Sequence, residues 1–325
     1  MRSLRVLLLA ATTLVFAQPD IVRGQTGYPN RPVALVVTVP PGGAADFVGR
    51  LIGGKLAGAL GQPVVISNRA GAGGIVAAAA VAKSDPDGYT LLLNTIATHG
   101  IGPHIYANLP YDPARDFSPV VLIAKLPLIM AVNAEVPAQS VEQVIALAKA
   151  RPGELSFCSA GSGGAPHLAG ELFQSLTATQ LLHVPYRGSG PAVVDLVAGR
   201  ITMMFDAAPS LLPFITAGKL RALAAASPQR HRLLPDVPSF AGLGYPAMDI
   251  ALWYGVVAPA GTPGEILARL NAELIKILDM PDVRKSLTEQ GADVQGGTAG
   301  DFAAFMRTES ARWSAVVKQA GIKPE

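Results

Sequence analysis

Twice in this chain a short apolar strand runs into a glycine-rich turn and directly on into a helix, at Val33–Leu60 (VALVVTVPPGGAADFVGRLIGGKLAGAL) and at Leu155–Leu176 (LSFCSAGSGGAPHLAGELFQSL). A strand, a tight turn and a helix are half of a βαβ unit, and such units build parallel sheets with helices on their faces. Apolar runs of strand length lie at Val33–Val39, Val64–Ser67, Thr90–Leu93, Leu128–Val132, Leu155–Ser159, Ile201–Phe205 and Leu220–Ala225. Helices are legible from their ends at Ala44–Leu60 stopped by Gly61, Val141–Ala150 begun at Ser140, Pro263–Leu278 begun at Thr262, and Ala299–Ala320 closed by Gly321. The 34 glycines and 27 prolines follow no collagen-like or low-complexity period and act as punctuation between these elements. The pattern predicts an α/β fold. In open α/β sheets ligands sit outside the carboxyl ends of the strands, where both glycine-rich turns lie.

The N-terminus reads as an export signal. Arg2 and Arg5 precede an apolar stretch from Val6 to Phe16, too short for the ~20 residues a membrane-spanning helix needs, and small-residue sites predict cleavage after Ala17 or Gly24. Residues 1–24 are therefore set aside as a signal peptide, and the mature chain is expected in the periplasm. The formal charge of +3 falls once Arg2 and Arg5 are removed, and the remaining cations are scattered singly, which argues against nucleic acid. Cys158 is the only cysteine, so an exported chain without a disulfide must be stabilised by its core. The mature length suggests two domains.

The chemistry of the turns is that of helix starts, which leave backbone N–H groups unpaired, carry a partial positive charge and bind anions. Gly42 and Gly43 let backbone approach a ligand, and Asp46 is either a cap or a partner for a ligand amine or hydroxyl. Ser159-Ala160-Gly161-Ser162-Gly163-Gly164-Ala165-Pro166 is the stronger candidate, with small residues, two hydroxyls and a proline suited to a first helical turn. His167 stands four residues before Glu171, the spacing of a His–Glu pair on one helix face; the pairing is favoured over a ligand contact. A third loop, Val184–Pro191, begins the helix Ala192–Ala198 and carries Arg187, read as a solvated surface charge rather than a carboxylate partner. Asp206 follows the strand end ITMMF, the position of a cleft residue, with its burial left open.

Enzyme signatures fail. Gly49–Lys55 matches the start of a phosphate-binding loop, but Leu56 replaces the required hydroxyl residue and the run lies inside a helix. Ser162 lacks a nucleophile elbow, although a secreted serine hydrolase using Ser159 or Ser162 stands as a minor alternative. His99 and His104, five apart around Pro103, make a poor metal clip, and neither metal nor cofactor is expected.

Taken together, YPNRPV at Tyr28–Val33, PPGGAADFVGR at Pro40–Arg50, LGQPVVISNRAGAGG at Leu60–Gly74, PDGYTLL at Pro86–Leu92, SAGSGGAPHLAGELF at Ser159–Phe173, VPYRGSGPA at Val184–Ala192, LPDVPS at Leu234–Ser239 and WYGVVAPAGTP at Trp253–Pro263 resemble the Bug-type, or TctC-like, receptors of tripartite tricarboxylate transporters. The resemblance implies a type II periplasmic-binding-protein fold of two Rossmann-like lobes. Lobe one would comprise residues 28–124 and 255–325 and lobe two residues 125–254, with crossovers near Ile123–Leu126 and Leu252–Val256. It implies a small organic acid held by backbone groups and water between the lobes and delivered, by a monomeric receptor, to a membrane permease; a sensor kinase partner is the alternative.

Carried onto this chain, the family's ligand contacts fall at Gly42, Gly43, Ala44, Ala45 and Asp46; at Asn94, Thr95, Ile96 and Ala97; at Ser159, Ala160, Gly161, Ser162, Gly163, Gly164 and Ala165 with His167; and at Asp206. The chain departs from the family pattern at Val39, Ala45 and Gly164, where an aromatic and hydroxyl residues are usual. Those departures suggest a roomier, less polar pocket for an aromatic or longer carboxylate.

Overall fold

The computed structural model describes residues 27–319. The signal-peptide reading of residues 1–24 and the closing Gly321 lie outside the described residues. In chain order the elements are β1 (Val33–Val37), α1 (Ala44–Leu60), β2 (Val64–Asn68), α2 (Ile75–Ala82), β3 (Thr90–Thr95), α3 (Gly102–Ile105), β4 (Phe117–Asn133), α4 (Val141–Ala150), β5 (Ser156–Ser159) and α5 (Ala165–Thr177). They continue with β6 (Leu182–Pro185), α6 (Ser189–Val197), β7 (Met203–Ala207), α7 (Ala208–Thr216), β8 (Leu220–Ala226), β9 (Ala251–Pro259), α8 (Gly264–Asp279), α9 (Pro281–Glu289), β10 (Asp293–Gly296) and α10 (Ala299–Gln319).

The fold is a two-lobe α/β architecture organised by one long strand. The N-terminal part of β4 pairs with β9 and β10, and through β9 with β3, β1 and β2. From Leu128 onward the same strand pairs instead with β7 and β8, and β7 carries β5 and β6. The change of partners falls between Pro127 and Leu128. Beside it a second crossing is made where Ile250 N–H donates to the Ala226 carbonyl and Leu128 N–H to the Ile250 carbonyl, tying the end of β8 to the start of β9. Sequence reading found only the Leu128–Val132 end of β4, because Pro119 and Pro127 break its alternation. A strand with sheet on both edges keeps its run nonetheless, since the prolines fall where pairing shifts or changes partner.

Parallel pairing of β1 with β2 and β3, and of β5 with β6 and β7, confirms the βαβ reading. The near-continuous burial of β4, β3 and β7 is what helices on both faces of a sheet require. Gly49 and Gly53, which mimic part of a phosphate loop in sequence, are packing residues on one face of α1. A Cβ at Gly49 would lie 2.8 Å from Val37 Cγ2 and one at Gly53 2.7 Å from Ile66 Cδ1, so glycine lets the helix settle on β1 and β2. In the second lobe Gly170 does the same for α5 against Phe157. Trp313 is fully buried. Trp253 and Trp313 both donate their indole N–H groups to Oε2 of buried Glu309, at 3.0 and 3.2 Å, which fixes α10 across β9.

Candidate functional site

The α1 turn is stiffened from within. Gly42 takes φ +94°, a conformation open to glycine at no steric cost, and its N–H donates to Asp46 Oδ2 at 2.9 Å. The same oxygen accepts from Arg50 Nε at 2.9 Å, and Oδ1 accepts from Asn68 Nδ2 at 2.8 Å. Asn68 also donates to the Val39 carbonyl at 3.0 Å. The Arg50 hydrogen bond, against the opposing effect of burial, holds the Asp46 carboxyl down at about 2. Of the two roles left open for Asp46, its contacts are those of a brace. The N–H groups of Gly43, Ala44 and Ala45 belong to the first helical turn, where no carbonyl of the helix reaches them.

The α5 turn is built alike. Gly161 and Gly163 take φ +146° and +73°, and Gly164 is the extended residue before the helix. Ser159, completely buried, accepts from Gly161 N–H at 3.3 Å, donates to the Gly161 carbonyl at 2.9 Å and meets His183 Nε2 at 2.7 Å. Gly163 N–H donates to His167 Nδ1 at 3.0 Å, and His167 Nε2 stands 3.5 Å from Glu171 Oε1, so the expected His–Glu pair forms. With Gly161 and Gly163 committed inside the turn, its donors for an anion are Ser162, Gly164 and Ala165. His183 was missed because four residues of β6 carry no periodic signal, and only the fold lays it beside Ser159.

Two cavities open at these helix starts. One, of about 210 Å³, is lined by Gly42, Gly43, Ala44, Phe47 and Val48 of the first lobe, Leu126 at the crossing, Pro209 of α7, and Leu287, Gln290 and Ala292. The other, of about 150 Å³, is lined by Ala160, Gly161, Ser162, Gly163, Gly164 and Pro166 opposite Gly73, Ala97 and Tyr106. Each joins residues of both lobes. Phe47, Tyr106, Leu287, Gln290 and Ala292 escaped sequence reading because they reach the cleft from elements far apart in the chain.

The remaining candidates divide. Ala97 faces the second cavity, while Asn94, Thr95 and Ile96 are buried: Thr95 and Thr98 cap each other at the Ile96–Ile101 turn, and Asn94 Nδ2 donates to Met306 Sδ at 3.3 Å. Asn94 Oδ1 is left without a partner. Ala45 and Ala165 sit under their helices. Asp206 is buried; Oδ1 accepts from Ala207 N–H at 2.7 Å, and burial pushes its carboxyl up against the opposing influence of the Ser189 and Ser210 hydroxyls. Arg187 is exposed, in keeping with a solvated charge. His99 lies in the core against Phe117, pushed down to about 3 by burial, and His104 meets Ser310, so these two do not converge on a metal. Among the described residues no group of three metal-ligating side chains occurs. The Ser159–His183 contact has the length of a nucleophile–base pair, yet the Ser159 hydroxyl is buried and spent on Gly161, and no carboxylate among the described residues bonds His183.

Two α/β lobes of mixed sheet joined by two crossings, with helix starts facing cavities between them, define a solute-binding protein of the periplasmic class. The chain belongs to the tripartite tricarboxylate transporter receptor (TctC) family, whose pattern matches residues 48–322. Among similar proteins is a UPF0065 protein from the tcbD-tcbE intergenic region of Pseudomonas sp. strain P51, 43% identical over 291 residues, covering 89% of this chain and 86% of the relative. BugT of Bordetella pertussis is 40% identical over 297 residues, covering 91% of each chain. Of solved structures, R. palustris Rpa4515 with adipate superposes with a TM-score of 0.86 at 38% identity, covering 92% of this chain and all of that one. MatC of Rhodopseudomonas palustris with bound malate gives 0.82 at 35%, covering 89% of this chain and all of that one. Among the described residues no helix is long and apolar enough to cross a membrane.

Proposed function

We propose that this chain captures an organic carboxylate between its two lobes in the periplasm and hands it to a membrane permease, with no chemical step of its own. The observation that carries the reading is that each lobe presents a helix start at a cavity lined from both lobes, with a glycine-rich turn braced from behind and its foremost N–H groups left for an anion. The adipate and malate of the two solved relatives support the same ligand class. Binding at about 1 μM needs about −8 kcal/mol, within reach of a few charge-assisted hydrogen bonds at roughly 1.5–3 kcal/mol each after association costs.

The finer expectation concerns the acid. The larger cavity is lined by Phe47, Val48, Leu126 and Leu287, with Gln290 as its one polar side chain. Ala45 and Gly164 add no hydroxyl to either helix start. An acid with an apolar or aromatic body suits such walls better than a short hydroxy-acid. A thermal-shift and calorimetric panel of adipate, malate, longer monocarboxylates and aryl carboxylates tests both levels. Stabilisation by any carboxylate supports the class, a preference for apolar bodies supports the finer reading, and stabilisation only by small dicarboxylates or amino acids overturns the latter. A panel in which only uncharged solutes bind overturns the class.

A further inference from the structure

Two imidazoles lie stacked behind the Ser159–Pro166 turn, one bonded to an amide of it and the other to the Ser159 hydroxyl. The rings of His167 and His183 stand 3.9 Å apart at 18°, and Phe157 stacks on His183 at 4.8 Å. Nδ1 of His167 accepts the Gly163 N–H, so the neutral ring keeps its proton on Nε2, on the side of Glu171. The Ser159 hydroxyl gives its proton to the Gly161 carbonyl, which makes His183 Nε2 the donor to Ser159 Oγ, the atom that also accepts the Gly161 N–H. Gly161 and Gly163 have no side chains with which to hold their left-handed conformations, so these two rings restrain the turn together with the Gly188 N–H bond to the Ala160 carbonyl.

We propose that His167 and His183 are positioning residues that preorganise the anion-binding turn, and that losing the acceptor on His167 releases Gly163 and weakens carboxylate binding. The inference rests on the carboxylate reading of this turn. The groups facing the pair are Glu171 on the same helix, His183 from β6 and, beyond Gly163, the Tyr106 hydroxyl at the end of α3. Glu171 faces Nε2, where the neutral ring already carries its proton, and so favours the accepting form of Nδ1. His183 is held down at about 4, by burial first and by the neighbouring His167 second, so it stays neutral while His167 is tested.

The test uses full-length mature protein, adipate as the probe, and two variants. His167→Asn keeps an acceptor oxygen near the place of Nδ1; His167→Leu removes the acceptor. At pH 7.5 His167→Leu is expected to bind adipate roughly tenfold more weakly than wild type, the equivalent of one lost hydrogen bond. His167→Asn is expected to recover part of that loss. In parallel, the ligand-free Gly163 amide resonance is expected to move further from its wild-type position in His167→Leu than in His167→Asn. Wild-type adipate affinity in His167→Leu, or a Gly163 amide that stays still in it, overturns the proposal. If adipate does not bind wild type, adipate is excluded as a ligand, and the clamp is judged on the Gly163 amide alone.

Discussion

Ile105 of the first lobe presses its Cδ1 against Gly163 of the second, so closely that a Cβ on Gly163 would lie 2.2 Å from it. The cleft therefore closes on a glycine that also needs φ +73°. Gly163→Ala combines a left-handed strain of about 1–2 kcal/mol with a collision between the lobes. The expected outcome is at least about tenfold weaker ligand binding by calorimetry. Gly54→Ala, where an added Cβ meets nothing inside α1, is expected to raise stability by about 0.5–1 kcal/mol and leave binding alone.

Asp46 binds three partners with two oxygens. Asp46→Ala leaves the Gly42 N–H, Arg50 and Asn68 unmatched, and is expected to lower the unfolding free energy by roughly 1–3 kcal/mol and weaken ligand binding. Asp46→Asn keeps an acceptor for Gly42 and is expected to fall between the two. Denaturant unfolding and calorimetry on the same preparations check both effects; unchanged binding in Asp46→Ala would remove the brace from the ligand argument.

Glu309 is the shared acceptor of two buried indoles. Glu309→Leu strands both N–H groups, at roughly 1–3 kcal/mol each, and is expected to lower the melting temperature by several degrees and shift tryptophan emission. Glu309→Gln retains an acceptor oxygen and is expected to lose less.

Stability is expected to fall on acidification below about 6.5. His99 and His183 are held neutral in the fold down to about 3 and about 4 by burial, whereas unfolded histidines bind protons near 6.5. The unfolded state therefore takes up protons first, and stability present above 6.5 drains away as the pH drops toward those folded values. Melting temperatures measured between pH 7.5 and 4.5 should fall in wild type and fall less steeply in His183→Asn. A flat profile would contradict the burial argument.

Local patterning was enough to place the β1–α1 and β5–α5 turns, because a strand that stops at glycine and restarts as a helix is written in consecutive residues. The same holds for the His167–Glu171 pair, whose spacing of four puts both on one helix face. The Leu128–Val132 run was legible, but not the rest of β4, since Pro119 and Pro127 interrupt alternation at the places where the strand shifts register or changes partners. Asn94, Thr95 and Ile96 were named only through the family resemblance; that their side chains are buried is a matter of which face the turn at Ile96–Ile101 covers.

By itself, then, the sequence determined the α/β class and the two glycine-rich helix starts, because both follow from short-range periodicity and backbone chemistry. Only the tertiary structure decided that His183 reaches Ser159, that Phe47 and Leu287 share a cavity wall, and that Ile105 meets Gly163. Those contacts join residues far apart in the chain, and their distances are set by how β4 carries one lobe's sheet into the other's.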